Sequence, residues 1–111
     1  MITQEDLDRL TDRKIYVMET VGGKDILIAT GGNLKKRQIY FLATLLCYED
    51  TETFHVAKEI DKYSPYSGLF IANTQDSKIR RPTVLEYLKF CKTMRDNKIS
   101  YNKKTKEVKK L

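Results

Sequence analysis

The sequence predicts a single α+β domain, with an N-terminal helix and β-hairpin, a helical body and a C-terminal basic β-hairpin. Three observations lead there. A chain of 111 residues is long enough to bury one core and too short for two independent ones. Thr83 and Glu86 form an S/T-x-x-E capping box just after Pro82. They open an amphipathic run, PTVLEYLKFCKTMRDN, that Asp96-Asn97 can stop. Behind it, KISYNKKTKEVKKL alternates at Ile99-Ser100-Tyr101, turns through Asn102 to Lys106, and can return antiparallel at Glu107-Val108-Lys109.

Taken in order, Thr3 to Leu10 is a short helix, capped by Thr3 with Asp6 three residues on and with Leu7 and Leu10 on one side. Lys14 to Thr20 and Asp25 to Thr30 are strand-like runs separated by Val21-Gly22-Gly23-Lys24. A Gly-Gly pair there is a hairpin signal, because tight primed turns need φ > 0 at both central positions. Gly31-Gly32-Asn33 then punctuates the change to Leu34 to Tyr48. That run is apolar nearly all round: a buried central strand fits it, but its length and its leucines and alanines favour a helix. Glu49-Asp50-Thr51 breaks the chain. Over Glu52 to Tyr63, residues Phe54, Val56, Ala57, Ile60 and Tyr63 share one half of a helical wheel, which predicts a second amphipathic helix. Ser64 to Gly68 is turn material. Leu69 to Ala72 is too short to classify, and Asn73 to Arg81 is a polar loop. Residues 1–33 thus form an extension of the same domain, and residues 34–111 its body.

Hydrophobic residues make up 41% and charged residues 32%, which suits a folded domain and does not imply disorder. The acidic start, MITQEDLDRL, lacks the basic and apolar regions of a secretory signal, and the apolar run Ile39 to Tyr48 is about half a membrane span. A cytoplasmic location without membrane contact is the expectation. Cys47 and Cys91 lie far apart in apolar segments, giving neither a C-x-x-C motif nor a disulfide framework.

The net charge of +6 becomes informative once located. Residues 98–111 hold six lysines and one glutamate. Clustered cations favour a polyanion through phosphate contacts and counterion release, although a solvated lysine tail is the plain alternative.

From Leu34 onward the order of elements resembles the winged helix-turn-helix family of DNA-binding domains. FHVAKEID stands for the second helix, RRPTVLEYLKFCKTM for the recognition helix and NKISYNKKTKEVKKL for the wing. The resemblance implies that the third helix enters the major groove while the hairpin touches flanking backbone. Thr83, Glu86, Lys89 and Thr93 would then face the groove, and Arg80 and Arg81 would meet a phosphate at the helix entry. Tyr101, Lys103, Lys104 and Lys106 would belong to the wing. Val84, Tyr87, Leu88, Cys91 and Met94 would be core. Two departures stand: Ser64 to Lys78 is longer than the family's tight turn, and no glycine replaces Asp61-Lys62. An alternative placement puts Ser64 to Ile71 in the recognition position.

Other chemistry is weaker. Gly31-Gly32-Asn33 before Leu34 to Arg37 offers a phosphate nest without P-loop spacing. His55 is the one histidine and has no second ligand beside it. No nucleophile or acid-base motif occurs, so no catalytic residue, metal or cofactor is expected. The functional expectation is a small non-enzymatic regulator or accessory factor that binds nucleic acid by occupancy, duplex DNA ahead of RNA. The alternative is a protein-binding inhibitor or adaptor, of the phage or mobile-element sort, acting on a nucleic-acid-handling enzyme. Its hairpin at residues 14–30 would add an edge strand to a partner, and residues 1–33 would serve a protein partner or homodimer.

Overall fold

The chain's longest apolar runs pair as adjacent strands of one antiparallel sheet. In a computed structural model describing residues 1–57 and 68–111, the order is α1 (Gln4–Asp8), a 3-10 turn (Arg9–Asp12), β1 (Ile15–Thr20), β2 (Gly23–Asn33), β3 (Gln38–Tyr48), β4 (Thr51–Val56), β5 (Gly68–Phe70), β6 (Lys78–Arg80), α2 (Val84–Asp96), β7 (Ile99–Tyr101) and β8 (Val108–Lys110). The main sheet runs β4-β3-β2-β1-β6, and β5 joins the other end of β3 on the β4 side. Among the described residues 46% are strand and 22% helix, so they form a mostly antiparallel sheet and not the expected helical winged-helix body.

The correction centres on residues 34–56. Leu34 to Arg37 is a turn, and Gln38–Tyr48 is a strand in the middle of the sheet. It is apolar nearly all round because both of its faces are covered. Ile39 and Phe41 join one core with Leu27, Ala29, Leu7 and Leu10, while Leu42, Ala43 and Leu45 join another with Ile26, Ile28, Phe90 and Met94. A doubly buried strand shows no alternation, and tertiary pairing outweighs the helical preference of leucine and alanine. The expected second helix fails at its start, since Thr51–Val56 is edge strand β4 paired with Ala43 to Tyr48. The remainder of that expected helix, the turn after it and the start of the alternative recognition segment, residues 58–67, lie outside the described residues.

The first hairpin forms with a shorter turn than expected. Thr20 pairs with Gly23, leaving Val21 and Gly22 at the corner, and only Gly22 has positive φ, at 90°. The hairpin is no edge. β1 lies between β2 and β6, which pairs with Val17 to Glu19, and β2 lies between β1 and β3, so the hairpin is flanked by strands on both sides. Gly31-Gly32-Asn33 is the end of β2, not a phosphate nest. The β2-β3 register shifts between Ile28 and Gly31, where Gly31 takes φ 133° in the irregularity. A Cβ on Gly32 would stand 2.8 Å from the Gln38 carbonyl oxygen, so strand approach requires glycine there.

Each face of the sheet carries a layer. On one side Ile2, Leu7 and Leu10, from the N-terminal segment, α1 and the 3-10 turn, pack with Met18, Leu27, Ile39 and Ile71. Thr3 and Asp6 close a reciprocal capping box there. On the other side α2 lays Phe90 and Met94 against Ile15, Val17, Ile26, Ile28 and Leu45, and Ile99 and Val108 of the β7-β8 ribbon complete that core. Residues 1–33 therefore supply two central strands and one covering layer.

Candidate nucleic-acid interface

The C-terminal lysines sit on an ordered ribbon. Ile99 pairs with Lys110, Ser100 with Lys109 and Tyr101 with Val108. The tip holds its shape through Asn102, whose Oδ1 accepts from the Lys104 and Thr105 amides at 2.9 and 3.1 Å, the signature of an Asx turn. Lys106 takes the left-handed conformation at φ 61°, and its amide donates to the Asn102 carbonyl at 2.7 Å. At the base, the Leu111 amide donates to the Lys98 carbonyl at 2.8 Å. Buried Ile99 and Val108 fasten the ribbon to α2, and the Tyr101 hydroxyl donates to the Arg13 carbonyl at 2.9 Å. Burial pushes that phenol up to about 12. Tyr101 is thus an anchor, with its hydroxyl already engaged.

The ribbon continues the basic end of α2. From Lys89 to Lys110 the chain carries nine lysines and arginines against Asp96 and Glu107. Lys89 pairs with Glu52, and Lys109 with Glu107 at 3.5 Å. Lys103 places its ammonium 5.5 Å from the centre of the Tyr87 ring, bringing the tip back towards α2. Burial raises the Cys91 thiol, while Arg95 and Lys103 both act to lower it, so cations from helix and ribbon flank the same turn of α2. Lys92, Arg95, Lys98, Lys104, Lys106 and Lys110 form no ion pair with any of the described residues.

The other expected contact residues are placed elsewhere. Glu86 is only 6% exposed and points into the protein. Its carboxylate takes a two-pronged bond from Arg80 at 2.7 and 2.8 Å and a third from Lys24 at 2.8 Å. The Arg80 bonds hold its carboxyl far below the usual carboxylate range, against the desolvation that opposes them. Arg80 also bonds Glu19 at 2.7 Å, and Lys78 lies 3.3 Å from Glu19. Arg80 has no donor face left for a phosphate. The helix entry is equally occupied: Thr83 Oγ1 accepts from the Glu86 amide, and the Thr83 amide donates to Glu86 Oε1. Glu86 thus fills the anion position that the helix start would offer. Arg81 donates to the Ile15 carbonyl at 2.6 Å and lies over the Tyr16 ring at 5.2 Å. The Thr93 hydroxyl donates to the Lys89 carbonyl within α2. His55 is exposed on β4.

Sequence reasoning named the tip lysines individually, counted Lys98 and Lys110 only within the charge of residues 98–111, and left Lys92 and Arg95 out of the candidate residues. It also misplaced the outward face of α2. The buried stripe is Glu86, Phe90 and Met94, with Tyr87 and Cys91 half-buried, while Val84 and Leu88, expected in the core, face solvent with Leu85.

Fold and surface together define a three-layer antiparallel-sheet domain with a basic helix-and-ribbon end. Compared with protein-family models, curated proteins and solved structures, the chain gives no match. No helix among the described residues is long and apolar enough to cross a membrane. Nor do three His, Cys, Asp or Glu side chains among them gather as a metal site.

Proposed function

We propose that the protein binds nucleic acid through the β7-β8 ribbon and the last turns of α2, contacting the phosphate backbone of duplex DNA and acting by occupancy as a regulator or accessory factor without catalysis. The observation that carries this reading is the concentration of nine cations against two acids between Lys89 and Lys110, on a segment whose backbone is fixed by strand pairing and an Asx turn. A preordered ribbon loses little conformational freedom when its lysines engage phosphates, and each engaged phosphate releases counterions. Contact is to the backbone and sequence-independent. Thr83, Glu86 and Thr93 are committed to capping, to a buried ion network and to the helix's own carbonyl, which leaves these three expected groove-facing residues without a free edge for reading bases.

Titration of labelled duplexes of unrelated sequence at low salt tests the reading. Equal affinity across sequences is expected, with RNA duplexes weaker. Absence of binding, or sequence preferences larger than about tenfold, contradicts it, since each specific base contact is worth about 1–3 kcal/mol.

A further inference from the structure

The two edges of the main sheet are unlike. β6 is short and carries Lys78 and Arg80, the charged form of edge that resists further pairing. β4 is longer, and its register with β3 runs unbroken from Ala43 and Val56 to Tyr48 and Thr51. It contains no lysine, arginine, proline or bulge, and its carboxylate, Glu52, is tied to Lys89. The Ala57 amide donates to the Leu42 carbonyl at 2.8 Å, which sets the alternation of the ladder. Thr51, Thr53 and His55 therefore turn their amides and carbonyls to β3, whereas Glu52, Phe54 and Val56 turn theirs outward. Among the described residues no strand meets those outward groups. Thr51, Thr53 and His55 are exposed on the α1 side of the sheet, and Phe54, half-buried beside Phe90, lies on the α2 side.

We infer that β4 pairs antiparallel with β4 of a second copy of this chain, about a two-fold axis through Phe54, so that two sheets become one. The strand is its own complement in that register. Phe54 stands opposite the partner's Phe54, Glu52 opposite the partner's Val56, and Thr53 opposite the partner's His55. Every outward amide and carbonyl of Glu52, Phe54 and Val56 then finds a partner, whereas a shift of two residues either way leaves Glu52 or Val56 unmet. No like charges face each other. A generic extended segment would satisfy the backbone alone, while a second β4 also brings an aromatic ring to Phe54 and an uncharged side chain to Glu52. Two strands of this length bury well under the roughly 800 Å² per partner of a standard interface, so the pair is weak in dilute solution. Antiparallel pairing keeps the α2 side of both sheets on one face, and the two ribbons with it. One polyanion then engages both ribbons, a consequence that rests on the nucleic-acid reading.

The test uses the full chain without nucleic acid, so its failure is separate from failure of the nucleic-acid reading. In this register Thr53 and His55 of the two copies form a non-hydrogen-bonded pair with Cα atoms about 4.5 Å apart, inside the roughly 4.4–6.8 Å that a disulfide spans. T53C and H55C, each at an exposed position, are oxidised with copper-phenanthroline at high protein concentration, alone and mixed. Peptide mapping should find a disulfide between positions 53 and 55 in the mixture, at several times the cross-linked yield of either variant alone. Sedimentation equilibrium of the wild type should show a reversible monomer-dimer equilibrium. T53K, which puts a charge on the open edge, should shift it to monomer with unchanged circular dichroism. A monomer at every concentration overturns the inference, even where the edge takes up an unrelated extended peptide. So does equal cross-linking in all three oxidations, a dominant link between two copies of T53C, or self-association that T53K leaves unchanged.

Discussion

Arg80 grips both carboxylate oxygens of Glu86, at 2.7 and 2.8 Å, and joins the edge strand β6 to the first turn of α2. Lys24 on β2 and Glu19 on β1 extend the join across the sheet. The arrangement fixes how α2 is rotated on the sheet, and with it which side chains face out.

Replacing Glu86 with glutamine leaves Arg80 and Lys24 without their shared partner at a site with little access to water. E86Q is expected to lower unfolding stability by about 3 kcal/mol at neutral pH. Glu86 titrates lower in the folded state than in the unfolded chain, so its contribution is present above the unfolded carboxyl range and is lost as pH falls. Urea denaturation from neutral pH into acid measures both. The wild-type chain should lose stability steeply on acidification, and E86Q should lose less.

Asp25 should act in the opposite direction. It is 3% exposed, its Oδ1 has no hydrogen-bond partner, and desolvation pushes its carboxyl up to about 6, with a bond from Tyr48 opposing. The folded state then holds a proton that the unfolded chain releases near 3.8. Stability from this group is complete below that value and declines as pH rises through about 6, by on the order of 3 kcal/mol. The D25N variant should lack that decline, and denaturation midpoints between pH 4 and 8 check it.

Tyr101 separates an anchoring role from a stacking one. Y101F removes the donor to the Arg13 carbonyl while keeping the ring, so it should cost about 1 kcal/mol of stability. Duplex affinity should not change, because the hydroxyl faces the protein. A loss of affinity at unchanged stability would assign Tyr101 to the nucleic acid.

Local signals were the legible part of this sequence. The Thr3-Asp6 and Thr83-Glu86 boxes and the alternation at Ile99 to Tyr101 depend on residues within a few positions of one another, and each appears in the structure; the hairpin marked by Gly22-Gly23 forms too, with its corner at Val21-Gly22 instead of at the glycine pair. What could not be read was pairing at a distance. Gln38 to Tyr48 is a strand because β2 and β4 flank it, and nothing inside the run says so. α2 carries two overlapping apolar stripes. Arg80, close in sequence, and Lys24, 62 positions away, choose between them by drawing Glu86 inward. The same choice exposed Val84, Leu85 and Leu88 and removed Glu86 and Arg80 from the expected contact residues. The lysines of the ribbon were visible as composition, whereas their order depends on Ile99 and Val108 finding Phe90 and Met94.

The central claim is that the ribbon's lysines engage phosphates, and a salt series on mixed-sequence duplex DNA tests it most directly. The logarithm of affinity should fall linearly with the logarithm of salt concentration, by about 0.9 for each phosphate neutralised. Replacing Lys103, Lys104 and Lys106 together by alanine should weaken binding and reduce that slope by about 2 to 3, leaving the fold unchanged by circular dichroism. No affinity at low salt, or an affinity and slope identical in the triple variant, would contradict it.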